Sequence, residues 1–330
     1  MGAGNFGELG TNNVRVTGVV DVGAILDVFQ AHGHYQVDTA RIYTGGTSEK
    51  VLGELDWKKR GLILDTKLWP NGVHLEALYA RGLPLTVLPD ERDLRKYLDE
   101  SLRALKTDSI NLRYLHAPDR TTPFEETLKA VNDLYKEGKF QHFGLSNYMS
   151  WEVAQVVEIC KVNGYVVPTA YQGLYNAVHR TVEPELFPAL REYGIAFYAF
   201  NPLGGGFFTG RYRSMHDRIE PGTRFDPNST IGKISRLWYW NEPYFAALEK
   251  IEEVAKKHNL TLAEIALRWM SHHSLLKHEH GDAIIIGTSS AQQAEQNLVD
   301  LQKGPLPEEV VKALDEAWNL AKGSAANYFQ

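Results

Sequence analysis

Short apolar runs alternate with longer amphipathic segments along most of the chain. Runs of strand length stand at Tyr35–Ala40, Leu62–Lys67, Ile110–His116, His142–Asn147, Thr169–Gly173, Ala196–Asn201 and Ala283–Gly287. A first strand falls at the very start, in Met1–Gly4, where the run looks clipped. Helix signals fill the intervals. Val22–His32 follows Asp21 as N-cap, and Asp90–Leu105 carries Leu94, Tyr97, Leu98, Leu102 and Leu105 at helical spacing. Pro123–Glu137 opens on a proline after Thr122 and stops at Gly138. Trp151–Val162 follows Ser150 and stops at Gly164, and Glu185–Tyr193 stops at Gly194. Pro307–Lys322 reads as one more amphipathic helix.

Repeated strand–helix units predict a parallel sheet, because crossovers between parallel strands are right-handed. Eight units fit an α/β fold of the (β/α)8 TIM-barrel class, with extra C-terminal helices and a long loop after the seventh strand. On this reading residues 1–330 are one domain. The alternative is an open doubly wound sheet, for which Gly2-Ala3-Gly4-Asn5-Phe6-Gly7 offers a Gly-x-Gly-x-x-Gly match. Asn12, Asn13 and further polar residues follow where that turn should open a helix, which speaks against it. The longest stretch read as irregular is Phe207–Trp240, rich in Gly, Pro and Arg, and a loop of that length points to function.

Composition changes this picture little. The chain has 330 residues, 43% hydrophobic and 23% charged, with a net charge of −6, so it carries no basic footprint for nucleic acid. No apolar run approaches the roughly 20 residues of a membrane helix, and the start lacks the apolar core of a signal peptide. The single Cys160 leaves no partner for an internal disulfide, so a reducing, cytoplasmic setting is expected.

The chemistry lies at the strand ends. In a barrel, polar residues at the C-terminal ends of strands meet at one mouth. The second strand ends in Asp38 with Tyr43 just beyond. The following strands end in Lys67, His116, Ser146-Asn147, Gln172 and Asn201. Reducing a carbonyl needs a hydride at carbon and a proton at oxygen. Tyrosine titrates near 10, too high for easy proton exchange, and a neighbouring ammonium lowers that value. Tyr43 is thus the expected acid, Lys67 its tuner, Asp38 the anchor of Lys67, and a neutral His116 the guide of the substrate oxygen. Taken singly, each residue also reads as a cap, a packing group or a surface charge; their co-occurrence on successive strands favours the catalytic reading. His272, His273, His278 and His280 lack the spacing of a metal site, and no metal is expected.

These residues and their surroundings resemble the aldo-keto reductases, in particular the aflatoxin-aldehyde and succinic-semialdehyde reductase subfamily. The matching segments include Asp38-Thr39-Ala40 with Tyr43, Thr66-Lys67, Tyr114-Leu115-His116-Ala117-Pro118-Asp119, Gly144-Leu145-Ser146-Asn147-Tyr148, Tyr171-Gln172-Gly173, Asn201-Pro202-Leu203 with Gly205-Gly206, and Glu295-Gln296-Asn297-Leu298. The resemblance runs from about Gly2 to Phe329. It implies NADPH extended across the barrel mouth. Asp38, Ser146, Asn147 and Gln172 would hold the nicotinamide end, with the ring stacked on Phe200. Asn201, Pro202, Leu203, Gly205 and Gly206 would wrap the pyrophosphate, with Arg211 or Arg224 as charge partners. Ser289, Gln293, Gln296 and Asn297 would meet the adenosine. Since Gly287–Asn297 holds no Arg or Lys, a 2′-phosphate there would need hydroxyl and amide groups or a distant basic residue.

The chain departs from the subfamily where relatives place arginines against an acidic substrate. Trp238 stands at one such position and Gln330 at the other, with Arg236 left as a candidate partner. Tyr43, Trp69, His116 and Trp238 are therefore the expected substrate contacts, and the expected partner is a small-molecule carbonyl compound that is neutral, aromatic or bulky. Two other readings stand beside the reductase: a slow-turnover NADPH-binding regulatory or redox-sensing barrel, and a dedicated ketoreductase or dehydrogenase of a secondary-metabolite pathway. A homodimer is the one macromolecular association left open.

Overall fold

A computed structural model describes residues 1–11, 13–69 and 91–330. Among them β1 (Phe6–Gly7) pairs with β2 (Val16–Thr17), and seven other strands form one parallel sheet. These are β3 (Gln36–Asp38), β4 (Ile63–Leu68), β5 (Ile110–Leu115), β6 (Phe140–Ser146), β7 (Pro168–Leu174), β8 (Ala196–Phe200) and β9 (Ala283–Ile284). They lie side by side in chain order, as consecutive right-handed strand–helix units do.

The first residues join the two edges of this sheet. Asp38 donates its backbone N–H to Met1 O at 2.8 Å and accepts from Ala3 N at 2.8 Å; Gly2 donates to Ile286 O at 2.8 Å. Met1–Ala3 is thus the missing stave, bonded on both sides, and the fold is a (β/α)8 barrel. The doubly wound alternative fails here: the Gly2–Gly7 match opens no helix and serves as a barrel strand and its exit.

The helices follow the expected signals with two corrections. α1 (Gly18–Ala31) starts ahead of Asp21, which sits in its first turn and not at its N-cap; a carboxylate there still complements the helix dipole. Then α2 (Thr47–Glu54), α3 (Glu91–Ala104), α4 (Phe124–Lys136), α5 (Ser150–Asn163) and α6 (Leu186–Tyr193) follow β3 to β7. Asp90, the expected start of α3, lies outside the described residues. The second correction concerns Phe207–Trp240, which contains α7 (Thr230–Tyr239). Ser229 caps that helix, its Oγ accepting from Gly232 N at 3.0 Å. The Gly, Pro and Arg density upstream hid the turn of helix behind it. α8 (Glu242–Lys257), α9 (Leu262–His272), α10 (Ala291–Gln302) and α11 (Glu308–Ala321) complete the described helices.

Strand alternation sorts the side chains into two cores. Outside the barrel a continuous apolar layer fills the space between strands and helices, including Leu64, Leu98, Phe143 and Val153. Truncating a fully buried leucine there, such as Leu98, would cost roughly 2–5 kcal/mol. Inside the barrel the apolar cluster is small: Leu112, Tyr114 and Ala170, with Tyr198 against it. In β4, Thr66 points outward and donates to Glu49 at 2.6 Å, so Asp65 and Lys67 on either side of it point inward. The barrel interior therefore holds Asp65 and Lys67, while other buried charges, such as Glu49 and Glu152, lie in the layer between strands and helices.

Candidate active site

Tyr43 leads a tight turn at the exit of β3. Its N–H bonds to Ala40 O at 3.0 Å, and Thr44, Gly45 and Gly46 all follow at positive φ. Thr44 tolerates this because its hydroxyl is tied to Phe6 O at 2.9 Å. Gly46 suits this position because its φ of 89° lies in the left-handed region, and a Cβ there would also displace the Arg41 guanidinium. The same turn thus fixes Tyr43 and folds Arg41 back beside it.

Around Tyr43 the expected set comes together. Lys67 Nζ lies 4.9 Å from the Tyr43 ring centre, donates to Asp38 Oδ2 at 2.6 Å and to Thr39 O at 2.7 Å. The ring centres of His116 and Tyr43 are 5.8 Å apart and nearly perpendicular. Burial and the nearby Lys67 and Arg113 charges push the His116 pKa well below the usual histidine range, so the ring is neutral. Its Nδ1 is buried and has no partner among the described residues. Lys67 stays an ammonium: burial lowers its pKa, but Asp38 and Tyr43 together raise it further. For Tyr43 the expectation needs correcting. Burial raises its pKa above the ordinary tyrosine value, and Lys67 offsets only part of that rise. With burial dominating, the side chain is held as the neutral acid.

A cavity of about 940 Å³ opens over this set, within the size range of small-molecule and cofactor sites. Asp38, Asn147, Gln172, Phe200, Asn201, Pro202, Leu203, Gly205, Gly206, Arg211, Arg224, Ser289, Gln293, Gln296 and Asn297 all line it, as do Tyr43, His116, Trp69 and Trp238. Two expected residues stand behind the wall. Lys67 reaches it through Asp38, and Ser146 supports Asn147, whose Nδ2 donates to Ser146 Oγ at 3.1 Å and to His116 O at 2.8 Å. Ser146 is a support here and not a lining residue, because β6 turns its side chain inward one position before the mouth. Gln172 Nε2 donates to Asp38 Oδ1 at 2.8 Å. Asn147 and Gln172 thus spend their amide N–H groups on protein and keep their carbonyl oxygens for a ligand.

The cavity suits a nicotinamide dinucleotide. Phe200, Asn147 and Gln172 all line it, and Gly206 has no heavy atom within 4 Å of where a Cβ would be, so the backbone can be approached closely. Sequence reasoning missed Asn5, Arg15, Arg41, Tyr97 and Thr223 as lining residues. None was singled out by its residue type, although Arg41 lies between Ala40 and Tyr43 and Asn5 within Gly2–Gly7. The β1–β2 turn and the far side of the mouth bring them in.

At the substrate side, Trp69 and His116 ring centres are 5.1 Å apart, and Trp238 stands 6.4 Å from Phe200. Arg236 does not line the cavity: its guanidinium stacks 4.5 Å from the Trp240 ring. Gln330 does line it, held by its N–H on Asn147 O at 3.1 Å and by Arg120 on its carbonyl at 2.8 Å. Elsewhere, His272 bonds Lys303 O at 2.6 Å, and His273 Nε2 accepts from Leu306 N at 2.9 Å. Among the described residues no group of three or more His, Cys, Asp or Glu is placed to hold a metal, and no helix is long and apolar enough to cross a membrane.

Known proteins resemble the chain over most of its length. The profile of the aldo/keto reductase family matches residues 1–319. An aldo-keto reductase of Pseudocercospora fijiensis is 49% identical over 92% of the chain and all of that protein. Human aflatoxin B1 aldehyde reductase member 2 is 42% identical over 96% of the chain and 89% of its own length. Among solved structures, a glycerol dehydrogenase from Gluconobacter oxydans superposes with a TM-score of 0.68 at 22% identity, covering 89% of this chain and 84% of that one. At that identity the likeness speaks for the barrel alone.

Proposed function

Because the chain belongs to the aldo/keto reductase family of oxidoreductases, we propose that it reduces an aldehyde or ketone to the alcohol, with NADPH as hydride source and Tyr43 as proton donor. The observation that supports this reading is the convergence of Tyr43, Lys67, Asp38 and His116 at one end of a cavity large enough for a dinucleotide.

When bound, the reduced nicotinamide supplies the hydride that adds to the carbonyl carbon. The chain's own residues do the rest. Asn147 and Gln172 would offer their amide oxygens to the carboxamide and Phe200 would support the ring face, which would orient the ring. Neutral His116 donates to the carbonyl oxygen and orients it. Tyr43 passes its phenolic proton to that oxygen as the C=O bond becomes C–O–H, and the phenolate left behind faces the Lys67 ammonium. Asp38 keeps Lys67 in place through the 2.6 Å ion pair. The buried Trp69 and His116 rings keep water from the reacting carbon.

For the substrate, we propose a neutral carbonyl compound with an aromatic or bulky body. Trp69 and Trp238 supply apolar walls, and Arg236 is committed to Trp240. The test follows absorbance at 340 nm with NADPH against neutral aromatic aldehydes, 2-carbonyl compounds and succinic semialdehyde. Turnover of the neutral aldehydes is the expected result. A preference of about tenfold or more in kcat/KM for succinic semialdehyde would sink the substrate reading. Tight NADPH binding without turnover of any of them would favour the regulatory barrel or a dedicated ketoreductase whose substrate lies outside this panel.

A further inference from the structure

The β1–β2 turn places Arg15 on the rim of the cavity. Its backbone is fixed from beneath: Arg15 N and Val16 N both donate to Asn5 O, at 2.9 and 3.1 Å, and Asn5 Nδ2 donates to Thr288 O at 2.8 Å. Asn5 is buried, so this chain of bonds is rigid. It ties Arg15 to the residue just before Ser289, in the wall proposed to meet the adenosine half.

Among the described residues Arg15 makes no ion pair; the charge nearest in effect is a second cation, Arg211, from the loop after β8. Partial desolvation and then that like charge pull the Arg15 pKa below the usual guanidinium value. Arg211 itself pairs with Glu220, and both are exposed, so that pair is weak and easily exchanged. Arg224, from the same loop, lines the cavity as well. Two loops thus bring guanidinium groups to one rim with no carboxylate placed beside Arg15. An anion between them would relieve the repulsion and give Arg15 a charge-assisted partner.

We propose that Arg15 binds a phosphate group of the dinucleotide and so links the β1–β2 turn to the loop after β8 across the bound cofactor. It would be a basic residue supplied from outside Gly287–Asn297, a segment that contains none. The inference rests on the cofactor reading above, and its test separates the two.

The full chain is titrated with NADPH and with NADH by fluorescence, at low and at raised salt, as wild type, Arg15→Gln and Arg15→Lys. Arg15→Gln should weaken NADPH by about tenfold or more, the scale of one hydrogen bond to a charged group, and Arg15→Lys by much less. Loss confined to NADPH assigns Arg15 to the 2′-phosphate; equal loss for both nucleotides assigns it to the pyrophosphate. In either case the salt dependence of binding should flatten by about one charge. Affinities within twofold of wild type, or a loss with unchanged salt dependence, would overturn the role of Arg15 and leave the reductase standing. A wild type that binds neither nucleotide would overturn both.

Discussion

Asp38 and Asp65 are partners in register on adjacent strands, both buried inside the barrel, yet they are held in different ways. Asp38 meets the Lys67 ammonium at 2.6 Å and the Gln172 amide at 2.8 Å. Asp65, deeper in the barrel, meets only amides: Gln36 Nε2 at 2.6 Å and Asn111 Nδ2 at 2.8 Å. Burial outweighs those two donors and lifts the Asp65 pKa to about 7, with Asp38 adding to the rise. The cation goes to the carboxylate at the mouth, where it also faces Tyr43. The lower carboxyl is left to neutral partners, and near neutrality it is partly an acid. One strand pair therefore builds a charged catalytic layer on top of a nearly neutral polar one.

The sharpest way to break this contrast is in the upper layer. Tyr43→Phe should lower kcat by about 10²–10⁴ while NADPH affinity, read by fluorescence, changes by less than a few-fold. Unchanged turnover would remove Tyr43 as the acid. Because burial raises the Tyr43 pKa, the kcat/KM profile for reduction should show no alkaline fall from this group below about pH 10.

Lys67→Met tests the pairing itself. It strands Asp38 in the barrel, and the expected loss of stability is about 3–5 kcal/mol, measured by denaturant unfolding. Loss of activity should accompany it. A variant as stable as the wild type would mean that Asp38 needs no cation.

Asp65→Asn should spare turnover and change the pH dependence of stability. The folded pKa lies above the unfolded one, so the carboxyl stabilises the fold at low pH and that contribution is lost as pH rises from about 4 to about 7. The full span is about 4 kcal/mol, from about three units at 1.36 kcal/mol each. In the variant this loss should vanish from the unfolding free energy measured between those pH values. An unaltered profile would show that Asp65 is ionised in the fold.

A smaller effect of opposite sign comes from His179, buried beside Tyr244 with its ring nitrogen 3.1 Å from the hydroxyl. Burial lowers its pKa to about 4. Its contribution is present above about pH 6.5 and is lost as pH falls towards about 4, a span of about 3 kcal/mol. In the wild type this partly masks the Asp65 slope. His179→Gln should expose it as a steeper gain in stability on acidification.

Much of the fold and most of the site can be read from particular residues. Strand ends such as Lys67, His116 and Gln172 are visible because alternation marks where a strand stops and a polar group follows. The glycines that stop α5 and α6 are visible because the left-handed region that ends a helix suits glycine best, as at Gly164 and Gly194. Asp65 is not legible: one polar residue in an apolar run gives no sign of whether a lysine or an amide will face it. Arg15 and Arg41 escape for a related reason, since each reaches the cavity from a turn whose course depends on residues far away in the chain.

By itself the sequence determined the alternation of strands with most of the helices, the parallel sense of the sheet, and the kinds of side chain gathered at the strand ends. These follow from local periodicity and from the handedness of the chain. Closure of the barrel rested on Met1–Ala3 bonding to both edges. The tertiary structure decided which buried carboxylate received the cation, which way the Tyr43 pKa moved, that Ser146 stands behind Asn147, and that Arg236 turns to Trp240. Those outcomes depend on burial and on distances between segments far apart in the chain, and electrostatic energies inside a protein change with each of them.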